Sequence, residues 1–159
     1  MGVSGCGKTT VGKLLAKSLG GEFFDGDDFH PEGNVEKMRS GVPLTDADRH
    51  GWLRKLNEFL LERENAEATT VLACSALKQA YRDKLAAGIS ITPRLVFLRG
   101  TFETIWDRMK ARKDHYMPAS LLRSQFETLE EPDDALNVDV NSPPEEIVQQ
   151  ILSDLVPKT

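Results

Sequence analysis

The segment Gly2-Val3-Ser4-Gly5-Cys6-Gly7-Lys8-Thr9 satisfies the spacing G-x-x-x-x-G-K-[ST] at every fixed position. Glycines at this spacing let successive backbone N–H groups converge on phosphate oxygens, and a helix beginning at the lysine aims its positive end at the same point. Lys8 is then placed to reach the β- and γ-phosphates, and the Thr9 hydroxyl to coordinate Mg²⁺. A chance match in a chain this long is on the order of 1%, so a nucleoside triphosphate is the implied ligand, with all of residues 2–9, Val3, Ser4 and Cys6 included, around its phosphates. Cys6 reads as a small filler of the loop. A second chemical cluster, Asp25-Gly26-Asp27-Asp28, follows about one helix later. In that order one carboxylate can order Mg²⁺ while another orients an attacking hydroxyl. Asp25 and Asp27 are interchangeable in these roles at this level, and His30 is a rival base.

These groups need a scaffold, and the remaining pattern alternates short apolar runs with helical periodicity, which reads as α/β. Val11, Leu14, Leu15 and Leu19 share one helical face that stops at Gly20-Gly21. Glu22-Phe23-Phe24-Asp25 is a short strand ending in acid. His30-Pro31 starts a short helix, and Thr45, with Asp48 three residues on, caps a longer one carrying Trp52, Leu53, Leu56, Phe59 and Leu60 inward. Val71-Leu72-Ala73-Cys74 and Leu95-Val96-Phe97-Leu98 read as buried strands, each followed by a helix, over about 76–85 and 101–113. Leu121, Leu122, Gln125, Phe126 and Leu129 form a further helical stripe, and Ser142-Pro143-Pro144-Glu145 opens the last helix. The acidic stretch 130–134 reads as a solvated loop. A phosphate loop ordinarily hangs from the end of a buried strand, yet only Met1 precedes Gly2. The first central strand is therefore expected to be missing, and a version extended at the amino end is expected to be more stable and more active.

Composition narrows the class. At 159 residues the chain suits one domain. The absence of an apolar run near the ~18 residues of a membrane helix argues against a membrane span, and the two cysteines fit a reducing cytoplasm. A net charge of −5 argues against general nucleic-acid binding. His30, His50 and His115 lack metal-ligand spacing, and Cys6 and Cys74 are no C-x-x-C pair, so no zinc site is supported. A guanine-reading Asn-Lys-x-Asp is absent, and the strand ending at Cys74 continues into Ser75-Ala76-Leu77-Lys78 rather than into acid. Both points disfavour GTPases and motor ATPases.

The segment Asp25-Gly26-Asp27-Asp28-Phe29-His30-Pro31, with Asn34, Lys37-Met38, Gly41, Pro43-Leu44 and Asp46-x-Asp48-Arg49, resembles the signature of gluconate kinases. So do Cys74-Ser75-Ala76-Leu77-Lys78 with Tyr81-Arg82-Asp83, His115-Tyr116-Met117-Pro118, and Ser124-Gln125-Phe126-x-Thr128-Leu129-Glu130-x-Pro132. His50-Gly51-Trp52 departs from the more usual x-Pro-Trp and is expected to loosen a helix start locally. The resemblance implies a P-loop NTPase fold of the shikimate-kinase-like and nucleoside-monophosphate-kinase-like type. That fold has a five-stranded parallel sheet flanked by helices on both faces, in one domain spanning 1–159 with a helical lid at about 108–120. It implies transfer of phosphate from ATP, with Mg²⁺, to the 6-hydroxyl of D-gluconate, feeding the pentose phosphate and Entner–Doudoroff routes. It also implies a cytoplasmic homodimer with no nucleic-acid or membrane partner. On this resemblance Asp25 supports Mg²⁺ with Thr9, and Asp27 orients the 6-hydroxyl. Arg49, Lys78 and Arg82 are candidates for the substrate carboxylate, with His30 beside them. Arg108 and Arg112, four apart, are candidates to reach ATP from the lid. A related small-metabolite kinase such as shikimate kinase, or a nucleotide-binding module without turnover, is the alternative.

Overall fold

The computed structural model describes residues 1–111 and 118–155. Each strand is four residues long and each is followed by a helix, the βα alternation that forces parallel pairing. The chain opens on the phosphate loop and α1 (Lys8–Leu19), then β1 (Glu22–Asp25), a 3₁₀ turn (Gly26–Phe29), α2 (Glu32–Arg39) and α3 (Asp46–Asn65). There follow β2 (Thr70–Ala73), α4 (Gln79–Ala86), β3 (Val96–Arg99), α5 (Phe102–Ala111), α6 (Ala119–Thr128), β4 (Leu136–Asp139) and α7 (Pro144–Leu155).

The strands form two parallel pairs rather than the continuous five-stranded sheet that the resemblance implies. β1 lies beside β2 with Glu22 opposite Thr70, and β3 beside β4 with Val96 opposite Leu136. Between the pairs stands Met1-Gly2. The Met1 amine donates to Val96 O and its carbonyl accepts from Leu98 N (3.0 Å), which is one rung of a parallel ladder with β3. Gly2 N donates to Ser75 O, just past β2 (3.2 Å). One dipeptide thus occupies the place of a central strand. β4 is an element that the sequence reading did not mark, because Leu136-Asn137-Val138-Asp139 alternates weakly and buries Val138 alone fully.

Two apolar clusters hold these layers. Val3, Val11, Leu98, Ile105, Leu122, Val138 and Ile151 join α1, α5, α6 and α7 to β3 and β4. Trp52, Leu53, Leu56, Tyr81 and Leu85 join α3 to α4, with Cys74 beneath them. Leu56, Ile105 and Leu122 are completely buried, each stabilising the fold by roughly 1.5–3 kcal/mol relative to exposure. Helix ends follow local chemistry. Gly20 closes α1 in the left-handed region (φ 65°), and Thr45 with Asp48 makes a reciprocal capping box at α3. With that cap in place α3 runs unbroken past His50-Gly51-Trp52, so the expected loosening is not seen.

Candidate active site

The phosphate loop turns through Gly5 and Gly7, with φ of 82° and 102°, a region that side chains rarely enter. Gly5 also has no room for a side chain, because a Cβ there would stand 2.6 Å from Met109 Cγ on α5. Among the described residues no backbone acceptor faces the N–H groups of Gly5, Gly7, Lys8 and Thr9, which leaves them for an anion at the positive end of α1. Lys8 Nζ arches over this loop, donating to Gly2 O and Val3 O at 3.0 Å each. Cys6 is buried in the core, as expected of a filler.

At the end of β1 the Asp25 carboxylate is fixed from two sides. Thr9 Oγ1 donates to Oδ2 (2.9 Å) and Asp27 N to Oδ1 (3.1 Å). This pairs the Thr9 hydroxyl with an acidic oxygen, a hard donor set of the kind Mg²⁺ accepts when phosphates and water complete its shell. Among the described residues there is no group of three or more His, Cys, Asp or Glu that could hold a metal by itself. Asp27, two residues on, leaves its carboxylate open to the cleft. Partial desolvation by the cleft walls raises its pKa above the ordinary value, Asp25 and Asp28 add to the rise, and Lys8 opposes it.

His30 is held differently. Its ring stacks on Trp52 at 4.2 Å and 15°, and Asn34 Nδ2 stands 3.2 Å from Nδ1 while also donating to Asp48 O (2.9 Å). An amide nitrogen can only donate, so Nδ1 accepts and the ring proton sits on Nε2, 3.9 Å from Asp27 Oδ1. Burial, helped by the nearby Arg49 charge, lowers the imidazole pKa to about 4. His30 therefore presents a neutral ring with Nε2–H toward Asp27. Trp52 in turn donates from Nε1 to Gly26 O (2.7 Å), anchoring the acidic turn to α3.

A cavity of about 100 Å³ joins these groups. Lys8, Asp27, His30 and Arg49 line it together with Ser75, Ser124 and Gln125. Arg49 also donates to Leu44 O (3.3 Å) and lies over the Tyr81 ring. Gln125 had no role in the sequence reading. On α6 it accepts from Ser4 N (2.7 Å) and donates to Ser4 Oγ (3.1 Å), tying that helix to the phosphate loop. Its only sequence signal is its place inside the matched segment.

The other two expected substrate cations are elsewhere. Arg82 is buried, and its guanidinium is spent on Ala76 O (3.0 Å), Leu77 O (3.3 Å), Glu130 O (3.0 Å) and Gln79 Oε1 (2.8 Å). Lys78 pairs with Asp46 (2.9 Å), which also accepts from the Tyr81 hydroxyl. Neither lines the cavity. A helix over about 76–85 would put Lys78 and Arg82, four apart, on one face, but Ala76 adopts φ 45° and α4 begins only at Gln79, so Lys78 precedes the helix while Arg82 turns inward. Glu130, expected in a solvated loop, caps α4 by accepting from Gln79 N (2.7 Å). Arg108 donates to Val140 O, which ties α5 to the end of β4. Arg112 and most of the expected lid lie outside the described residues, as does His115.

Comparison with known proteins follows the same lines. The shikimate kinase family model matches residues 4–156. The thermoresistant gluconokinase of Escherichia coli (strain K12) is 44% identical over 154 residues, covering 93% of this chain and 86% of that one. The crystal structure of a gluconokinase from Sinorhizobium meliloti 1021 superposes with a TM-score of 0.88 at 44% identity, over 96% of this chain and 87% of the other. That of a sugar kinase from Janibacter sp. HTCC2649 does so with 0.88 at 45%, over 99% and 93%. The fold is that of the shikimate-kinase-like P-loop kinases, and the chain belongs to the gluconokinases within that family.

Proposed function

We propose that this chain phosphorylates D-gluconate: ATP + D-gluconate → ADP + 6-phospho-D-gluconate + H⁺. The observation that carries the reading is the convergence of Lys8, Asp27, His30 and Arg49 on one small cavity beside the phosphate loop, in a chain about 45% identical to gluconokinases. Shikimate kinase is the weaker alternative. The solved shikimate kinase from Aquifex aeolicus is 21% identical with a TM-score of 0.58, and supports the fold alone.

Phosphoryl transfer asks for positioning and charge neutralisation more than covalent chemistry. The N–H groups opening α1 and Lys8 hold the phosphates. Asp27 takes the proton of the 6-hydroxyl, its raised pKa bringing it nearer to a useful base. His30 Nε2–H orients that carboxylate or the hydroxyl itself. Arg49 takes the carboxylate of the aldonate, a planar acceptor that suits a guanidinium. Thr9 and Asp25 would hold Mg²⁺, which when bound neutralises charge on the phosphate oxygens. ATP contact by Arg108 and Arg112, closure of residues 108–120 within a single domain, a homodimer, the pentose phosphate route and the cytoplasm are parts of the proposal that rest on the resemblance. No helix among the described residues is long and apolar enough to cross a membrane.

The test is a coupled assay of 6-phosphogluconate formation with ATP, Mg²⁺ and D-gluconate, against shikimate and substrate-free controls. Gluconate-dependent product is the expected result. Shikimate-dependent product, or nucleotide binding without turnover, would replace this reading by its alternatives.

A further inference from the structure

Leu121, Ser124 and Gln125 stand at i, i+3 and i+4 on α6 and so share one face, and all three line the cavity beside the phosphate loop. The helix that carries them is fixed along its length. Leu122 is completely buried in the core. Past the end of the helix, Glu130 N donates to Leu77 O (2.8 Å) and Glu130 O accepts from Arg82 (3.0 Å), which ties it to the connection after β2. At its start, Pro118 lies against the loop that carries Pro43 and Leu44 into the same cavity, since a Cβ at Gly41 would stand 3.2 Å from Pro118 Cγ.

From this fixed helix Gln125 reaches the phosphate loop with both ends of its amide. Oε1 accepts from Ser4 N (2.7 Å), and Nε2 donates to Ser4 Oγ (3.1 Å). The backbone N–H can only donate, so the amide oxygen must face it. The next residue, Gly5, is pressed against α5, where a Cβ would stand 2.6 Å from Met109 Cγ and 3.2 Å from Ile105 Cγ2. Ser4-Gly5 is thus held between two helices. In-line phosphoryl transfer depends on the separation of donor and acceptor, and a misplacement of about 1 Å can cost about 100-fold in rate. The Gln125–Ser4 bonds join a wall of the acceptor cavity directly to the phosphate loop, and a neutral amide does this without setting a negative charge beside the phosphates.

We infer that Gln125 is a positioning residue for the transfer: through Ser4 it sets the phosphate loop at a fixed separation from the acceptor cavity. Its amide is engaged by Ser4 rather than by the acceptor. This role rests on the kinase reading of the site.

The test compares wild type, Gln125→Met, Gln125→Glu and Ser4→Ala in the coupled assay, with hydrogen exchange at the Ser4 amide followed by NMR on each. Gln125→Met keeps the length of the side chain and loses both bonds. Its kcat should fall about 10–100-fold, with KM for ATP and for gluconate each changed by less than about threefold, and Ser4 N–H should exchange roughly tenfold faster. Gln125→Glu keeps an acceptor at the same reach, so it should recover most of kcat while its charge raises KM for ATP. Ser4→Ala removes one of the two bonds. It should lower kcat less than Gln125→Met does, and should add no further loss when combined with it. A raised KM for gluconate at unchanged kcat in Gln125→Met would make Gln125 a substrate contact and overturn the positioning role, as would equal kcat in all four proteins. Should Gln125→Met not fold, an unchanged kcat in Ser4→Ala would overturn it instead. Wild type without gluconate-dependent product would remove the gluconate reading, whereas Ser4 exchange no slower in wild type than in Ser4→Ala and the Gln125 variants would remove the Gln125–Ser4 brace whatever the acceptor.

Discussion

Lys8 bonds across the phosphate loop, Asp27 and His30 have pKa values moved by burial, and each makes a distinct prediction. Lys8→Ala should lower kcat by roughly 10³-fold or more, because it removes a donor whose contribution is greatest in the transition state. The coupled assay on protein of unchanged circular dichroism checks this. Asp27→Asn should lower kcat by about 10²–10⁴-fold. The base works deprotonated and its pKa is raised by desolvation, so the wild-type rate should fall on the acid side through a pKa above the ordinary carboxylate value. A kcat against pH profile that lacks this limb would remove Asp27 as base. His30 acts on stability with its own sign. Its folded pKa is about 4 and its reference value 6.5, so between these values the unfolded chain takes up a proton that the folded one does not. Stability from this group is complete above about 6.5 and is lost as pH falls toward 4. Urea midpoints at pH 7 and 4.5 should therefore differ more for wild type than for His30→Gln. Asp48, whose pKa lies at about 2 because Lys37 and Thr45 hydrogen-bond to it, acts only below that window.

At the level of elements, cations of similar sequence appearance have separate tasks. Arg82 satisfies carbonyls where β2 runs into α4, so Arg82→Met should lower stability by roughly 2–4 kcal/mol through the acceptors it leaves unpaired. Arg49 lines the cleft, so Arg49→Ala should raise KM for gluconate at least tenfold while shifting the unfolding midpoint little. Thermal melts and steady-state kinetics on both variants check the split, and a reversal of the two effects would exchange their roles. The helical spacing of Lys78 and Arg82 was visible in the sequence. The left-handed residue at Ala76 that delays α4 was not, because alanine gives no local signal for it. The caps were legible where their chemistry is local, as with Thr45 and Asp48. The Glu130 cap on α4 spans 51 residues of chain and had no such signal.

For the molecule as a whole, nucleotide and fold are linked through the loop that joins α1 to both strand pairs. A non-hydrolysable ATP analogue with Mg²⁺ at 100 times its Kd should stabilise the chain by about 2.7 kcal/mol, seen as a rise in Tm. Chelation of Mg²⁺ should abolish turnover and reduce that rise if, as proposed, Thr9 and Asp25 hold the ion. An unchanged rise with chelator would detach the metal from this pair.

Residues that act through their neighbours in sequence could be read from the chain alone. The phosphate loop, the acidic end of β1, the capped start of α3 and the alternation of strand and helix depend on contacts within a few residues, and their spacing encodes them. The matched blocks identified the family because they hold many such positions in order. Tertiary structure decided which cations face the cleft, that burial lowers the pKa of His30 while Asn34 sets its tautomer, and that Gln125 bonds to Ser4 across 121 residues. It also decided that the four strands stand as two pairs. Each of these depends on groups distant in the chain competing for the same hydrogen bonds and buried volume, a competition settled only once the elements pack.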